Sequence, residues 1–344
     1  SGKPVARRDV LKIAASSVVL LSTPQRVWSE KTLGEFPFSL GVAAGDPWPD
    51  GFVIWTRLAP RPLDPAGGMP MKVMQVEWEV AEDERFSRIV RSGVAPARPE
   101  LAHSVHVEVT GLKSAWRYWY RFRAAGEISP VGTARTAPEA GIAVDRVRIG
   151  VAGCQHYEHG LFTAYRHLAN VEDLDAVFHY GDYIYEGRSR DCTKAKEDCV
   201  RSHVGDEIYS LDDYRRRYAQ YKSDPDLQAA HAAAAFVMSY DDHEVDNNWS
   251  ADRDQDGTPA DAFLLRRAVA MQAWYEHMPA RRAQYPSSGA LTMYRRLDFG
   301  DLFGNQADVA LVRRFQCVHR RLQPSDQVEP ARERLEVLLE ADRR

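Results

Sequence analysis

Ala176-Val177-Phe178-His179-Tyr180-Gly181-Asp182-Tyr183-Ile184-Tyr185-Glu186 reads as a buried strand that runs into a glycine turn and then into polar, ligating side chains. The apolar start suits a strand covered on both faces, and Gly181 permits a sharp exit before Asp182. Two other segments repeat the design. Residues 147–152 read as a strand ending at Cys154-Gln155-His156, and residues 236–240 as a strand ending at Asp241-Asp242-His243-Glu244. Helical patterns separate them at 160–170, 212–222 and 224–234, and another follows at 262–277. Ser223 is the expected cap of 224–234, with Pro225 in its first turn. Strands alternating with helices predict an α/β (α+β) domain over residues 145–300.

The preceding hundred residues have a different grammar. Residues 52–57, 73–80, 103–109 and 116–123 read as short strands, several with alternating apolar positions such as Val76, Trp78 and Val80. They predict a small all-β fibronectin/immunoglobulin-like domain over 36–138, and residues 111–123 are similar to late fibronectin type III strands. A Pro-, Ala- and Gly-rich stretch at 137–143 reads as the linker. Arg7-Arg8-Asp9-Val10-Leu11-Lys12 and the apolar run 13–21 read as a twin-arginine export signal within residues 1–30. That run is shorter than the ~20 residues a membrane-spanning helix needs. The expectation is a mature chain in the periplasm or outside the cell, with no transmembrane anchor and the twin-arginine export machinery as a partner.

The chain has 344 residues, 44% of them apolar, and a net charge of −4. This is a globular composition without the basic excess that marks a nucleic-acid-binding surface. The chemistry is concentrated at the three strand ends, where open α/β sheets bind ligands. The two oxygens of Asp182 suit a bridge between two metal ions ~3.5–4 Å apart. Tyr185, three residues on, can return to the same cavity, Asp242 can ligate from the third strand, and His243 can protonate a leaving oxygen. His156 and His159 lie near this site but match no motif, while His231 and His277 read as packing residues. Cys192 and Cys199 flank a polar insert and suit a disulfide in an exported protein. No Gly-x-Ser-x-Gly elbow supports a serine hydrolase, and Cys154 lacks a partner base.

Gly181-Asp182-Tyr183-Ile184-Tyr185 resembles the GDxxY block of purple acid phosphatase-like metallophosphoesterases. Three longer strings resemble the alkaline phosphatase D family: residues 38–47 (FSLGVAAGDP), 177–186 (VFHYGDYIYE) and 241–249 (DDHEVDNNW). The resemblance covers residues 38–300 and implies a metallophosphoesterase-like sandwich core of the α/β (α+β) class. It also implies Fe(III) held in part by Cys154 and Tyr185, Asp182 shared between ions, Asp242 on the second centre, and Ca²⁺ (or another divalent metal) as companion. The implied activity is phosphomonoester or phosphodiester hydrolysis by a metal-bound hydroxide, on a small-molecule or lipid phosphoester. Asn248 and Arg166 are the candidate phosphate contacts.

The resemblance fades after residue 302, and the late Gly-Asp-x-His block of the family, which supplies further metal ligands, is absent. Residues 301–344 read as a divergent Arg-rich tail, either a genuine replacement or the product of a shifted frame or truncation, with a helix over 330–344. His319 is a weak stand-in ligand. The alternative function is therefore a catalytically inactive remnant serving as a binding or structural module.

Overall fold

The structure, a computed structural model, describes residues 33–194, 199–287 and 289–301, and the backbone of 339–342. The export-signal segment, residues 302–338 and His319 among them, and residues 330–338 of the expected tail helix lie outside the described residues. Residues 339–342 form a strand rather than a continuation of that helix.

Three neighbouring strands occupy the middle of a seven-stranded mixed sheet: β9 (Arg146–Ala152), β10 (Ala176–His179) and β11 (Ala235–Met238). They are mutually parallel, so their carboxyl ends emerge side by side. Parallel neighbours need crossovers. Helix α1 (Thr163–Ala169) lies in the first, and α2 (Leu211–Lys222) and α3 (Pro225–Ala233) in the second. Together with α4 (Ala260–His277) they bury Leu168, Tyr214, Tyr218, Leu227 and Trp274 in one core with Val177 and Phe236 of the sheet. A Ser210–Asp213 capping box starts α2. Helix α3 is capped by Asp224, not Ser223: the Asp224 carboxylate accepts the N–H groups of Asp226 (2.9 Å) and Leu227 (3.2 Å). Ser223 instead closes α2, its hydroxyl donating to the Ala219 carbonyl at 2.7 Å.

The N-terminal strands divide between two sheets. β1 (Val42–Trp48), β2 (Gly51–Arg57) and β5 (Ser104–Val109) extend the seven-stranded sheet, whose order with β12 (Leu339–Asp342) is β12-β9-β10-β11-β1-β2-β5. β3 (Met74–Ala81), β4 (Ile89–Ala97), β6 (Arg117–Ala124), β7 (Glu127–Ile128) and β8 (Gly132–Arg135) make a five-stranded antiparallel sheet. The two sheets sandwich Phe52, Ile54, Val76, Tyr118 and Tyr120, with Phe52 6.2 Å and 6.4 Å from the two tyrosine rings. One half of this sandwich is thus the outer part of the α/β sheet. The join is the parallel pairing of Ala44 with Ala235 and of Gly45 with Phe236.

That join requires Gly45. A Cβ there would lie 2.0 Å from the Pro279 carbonyl oxygen and 2.9 Å from that of Phe236. Gly45→Ala is expected to destabilise the chain by about 1–3 kcal/mol, the usual cost of overpacking; an unchanged urea midpoint would disprove so close an approach. Beneath the three strand ends, the Lys222 ammonium is buried 4.4 Å from the Trp55 ring centroid and 5.3 Å from that of Tyr183. Burial pulls its pKa from 10.5 down to about 7. Between those values the unfolded chain holds a proton that the folded chain has released, so stability rises with pH across the window. Lys222→Met is expected to flatten that rise and to be more stable than the parent at pH 7, measured by urea unfolding at pH 7 and pH 9.

Candidate metal centre

The hydrogen-bond ladder continues beyond the strand ends and sets the loops in register. Cys154 N–H donates to the Gly181 carbonyl and Gln155 N–H to that of Asp182, both at 3.1 Å. Gly181 has φ +128°, and a Cβ there would lie 2.4 Å from the Asp241 nitrogen, so the second and third loops touch only because this residue is glycine. Cys154 and Asp182 both sit at φ +52°, in the left-handed region that costs a side-chain-bearing residue energy and clusters at functional sites.

Asp182 is the centre of the arrangement. Its Oδ2 accepts from the Cys154 thiol (3.2 Å) and the Tyr185 hydroxyl (3.1 Å). Its Oδ1 is buried with no hydrogen-bond partner among the described residues. Ligand atoms of Asp182, Asp242 and His243 lie within 4.8 Å of one another. Asp242 is fixed by main-chain donors, from His243 N–H to Oδ1 (3.1 Å) and from Asn248 N–H to Oδ2 (2.6 Å). His243 Nδ1 lies 2.8 Å from Glu186 Oε2, while Glu186 Oε1 accepts the Asn247 N–H at 2.8 Å.

The electrostatics describe a pocket short of positive charge. Burial and then Asp182 push the Cys154 thiol and the Tyr185 phenol up. Burial also raises Asp182 itself, with Asp242 adding to the rise against the opposing charge of His243. Asp241 is pushed up to about 7 by burial and by its Asp182 and Asp242 neighbours. His243 responds in the opposite sense. Burial disfavours its charge, but the Glu186 hydrogen bond and the Asp182, Glu186 and Asp242 carboxylates outweigh that and raise it to about 10.

Of the residues singled out in the sequence, Cys154, Asp182, Tyr185, Asp242 and His243 come together. Asn248 reaches the cluster through its main chain; its side-chain amide donates to Gln255 Oε1 at 3.2 Å. Arg166 is not brought there. Its guanidinium forms a two-pronged ion pair with Asp226, both bonds 2.8 Å, tying α1 to α3. His231 and His277 are buried in packing, against the Tyr183 hydroxyl and the Arg57 guanidinium respectively. Cys192 and Cys199 are joined in a disulfide. A second acidic group, Glu207, Asp246 and Asp256, already has a cation: Arg266 pairs with Asp246 and Glu207 at 3.0 Å each.

Two carboxylates matter here that residue type alone did not single out. Glu186 orients His243. Glu244, fully buried, accepts main-chain N–H groups from Asp182 (3.1 Å), Asp241 (2.6 Å) and Tyr183, and so fastens the second loop to the third. Both lie within the strings quoted from the sequence, but acceptors of backbone N–H groups carry no spacing signature. Glu244→Gln replaces one acceptor with a donor facing N–H groups. It is expected to lower stability by about 2–3 kcal/mol, the cost of losing charged hydrogen bonds in a buried place, with metal affinity falling about 10–100-fold. Thermal melting and metal titration check both; wild-type metal affinity in the variant would dismiss the fastening role.

Residues 149–310 match the family described as PhoD-like phosphatase, and residues 23–138 match the N-terminal domain of PhoD-like phosphatases. Alkaline phosphatase D of Bacillus subtilis (strain 168) is 51% identical over 267 residues, which is 78% of this chain and 45% of that protein. A solved structure of PhoD superposes with a TM-score of 0.75 at 50% identity, covering 78% of this chain and 51% of that one. The chain therefore spans about half the length of these relatives, and it belongs to the PhoD-like phosphatase family.

Proposed function

We propose that this chain is a metal-dependent phosphoester hydrolase, acting on phosphomonoesters, phosphodiesters or both, with Cys154, Asp182, Tyr185 and Asp242 as metal ligands. The observation that carries the reading is Asp182: one oxygen shared by a thiol and a phenol, the other buried without a hydrogen-bond partner among the described residues. Three acidic groups converging out of water leave a place suited to cations. Thiol, phenol and carboxylate donors on one side fit Fe(III), and the oxygens of Asp182 and Asp242 on the other fit Ca²⁺ or another hard divalent ion. When bound, such ions supply Lewis-acid stabilisation of phosphoryl oxygens and lower the pKa of a water.

The protein's own groups perform the rest. Asp242 is held by two main-chain donors and so presents its remaining lone pairs in one fixed direction. His243, tied at Nδ1 to the Glu186 carboxylate, which favours the protonated ring, presents Nε2–H to a phosphate oxygen and then to the leaving oxygen. The exposed Asn248, beside Asp242, is the substrate-side contact. Arg166 is given no role at the phosphate because Asp226 holds it.

The same reading places the protein outside the cytoplasm by the twin-arginine route. The Cys192–Cys199 disulfide supports an oxidising compartment, and no helix among the described residues is long and apolar enough to cross a membrane.

Elemental analysis of the purified chain, with hydrolysis of p-nitrophenyl phosphate and bis-p-nitrophenyl phosphate, tests the proposal. Iron near one per chain with a visible phenolate band is expected. Asp182→Ala and Tyr185→Phe should each lose the band, and Asp182→Ala should lose about a thousandfold in kcat/KM, the rate equivalent of several kcal/mol. Arg166→Ala should stay within about twofold of the parent, as expected for a surface ion pair. Folded protein with no bound metal and no activity on either ester would instead favour an inactive binding module.

A further inference from the structure

We infer that His156 is a positioning residue for Tyr185, holding the phenol ring on Asp182 within a row of four packed rings. This deepens the proposed function and rests on Tyr185 being a ligand. The rings of His159, His156, Tyr185 and His243 follow one another with centroid separations of 3.8, 4.3 and 4.2 Å. The contacts differ in geometry: His159 and His156 are stacked, with 10° between their planes, while Tyr185 is tilted by 46° to His156 and by 34° to His243. His243 is anchored at one end by Glu186, 2.8 Å from its Nδ1.

His156, on the other side of Tyr185 in the row, is anchored as well. His156 Nδ1 accepts the Glu158 main-chain N–H at 3.2 Å, which fixes the ring's rotation and leaves the proton on Nε2. Glu158 is buried, and its Oε1 accepts the N–H groups of Arg190 and His203, both at 2.8 Å. The backbones carrying the two central rings are also joined. The Tyr221 hydroxyl accepts the N–H of Tyr157 (3.1 Å) and the N–H of Tyr185 (3.2 Å).

The ring face, not a nitrogen, is what His156 offers. Its Nδ1 is occupied, and the converging ligand group nearby comprises Asp182, Asp242 and His243 without it. With the Tyr185 hydroxyl held at Asp182, the motion left to the phenol is rotation of the ring about Cβ–Cγ, the axis on which the oxygen lies. Rings packed 4.3 and 4.2 Å from its centroid hinder that rotation.

The test uses the full chain with 3-fluorotyrosine placed at position 185, in the parent and in His156→Phe and His156→Ala. In chelator-treated protein the parent should give one narrow ¹⁹F line. His156→Phe should keep it, and His156→Ala should broaden or split it. In iron-loaded protein acting on p-nitrophenyl phosphate, His156→Ala should lower kcat roughly three- to tenfold at unchanged KM, the rate equivalent of one lost aromatic pair. His156→Phe should restore kcat to within about twofold, since its ring keeps that pair. Two results would overturn the inference: His156→Phe behaving like His156→Ala, which would assign the role to a nitrogen, or His156→Ala keeping both the narrow line and kcat. A parent that hydrolyses neither ester would defeat the proposed function alone, because the ¹⁹F comparison in metal-free protein still decides the role of His156.

Discussion

The site depends on one buried carboxylate. Glu244 gathers main-chain N–H groups from Asp182, Tyr183 and Asp241, two loops that leave neighbouring parallel strands. Without an acceptor of this kind, three donors would point into a water-excluded space at a cost comparable to several lost hydrogen bonds. With it, the second loop takes the tight path that puts Gly181 against Asp241 and sets Asp182 at a left-handed φ. The strain at Asp182 and Cys154 is local, and the bonds that sustain it come from both sides of the sheet's central strands.

Charge follows from the same enclosure. Burial and mutual repulsion hold protons on Cys154 and Tyr185, while the carboxylates draw a proton onto His243. The cluster thereby contains its own cation and a carboxylate oxygen of Asp182 with no hydrogen-bond partner among the described residues. Each loop is braced from behind: Glu186 behind His243, Glu158 behind His156, and the Tyr221 hydroxyl between Tyr157 and Tyr185. All three braces come from the crossover segments, Glu158 between β9 and β10, and Glu186 and Tyr221 between β10 and β11.

Much of this was legible in the residues. The three strands, the carboxyl-end clusters, helices over 212–222 and 262–277, and the Cys192–Cys199 pairing follow from apolar runs, turn residues and cysteine spacing, all of which are local signals. The cap of α3 was misjudged by one residue because Ser223 and Asp224 are both good caps, and the choice depends on where α2 ends. Arg166 was misplaced for a different reason: an arginine on a helix near a site reads the same whether it faces substrate or pairs with a carboxylate on the next helix.

The sequence by itself determined the chemistry: which donors exist, that they follow strands, and which family they resemble. Periodicity and residue type are properties of neighbours along the chain, so a single sequence exposes them. The tertiary structure decided partnership. It joined β1 to β11, making one sheet of strands from both halves of the chain, because backbone N–H and C=O groups are the same at every residue and do not announce their partners. It alone revealed Glu244 as the fastening between loops and the rings packed around Tyr185. The contacts of Glu244 with Asp182 and Tyr183, and of Tyr185 with His156 and His243, join residues far apart in sequence and depend on distance and direction, which no spacing rule encodes.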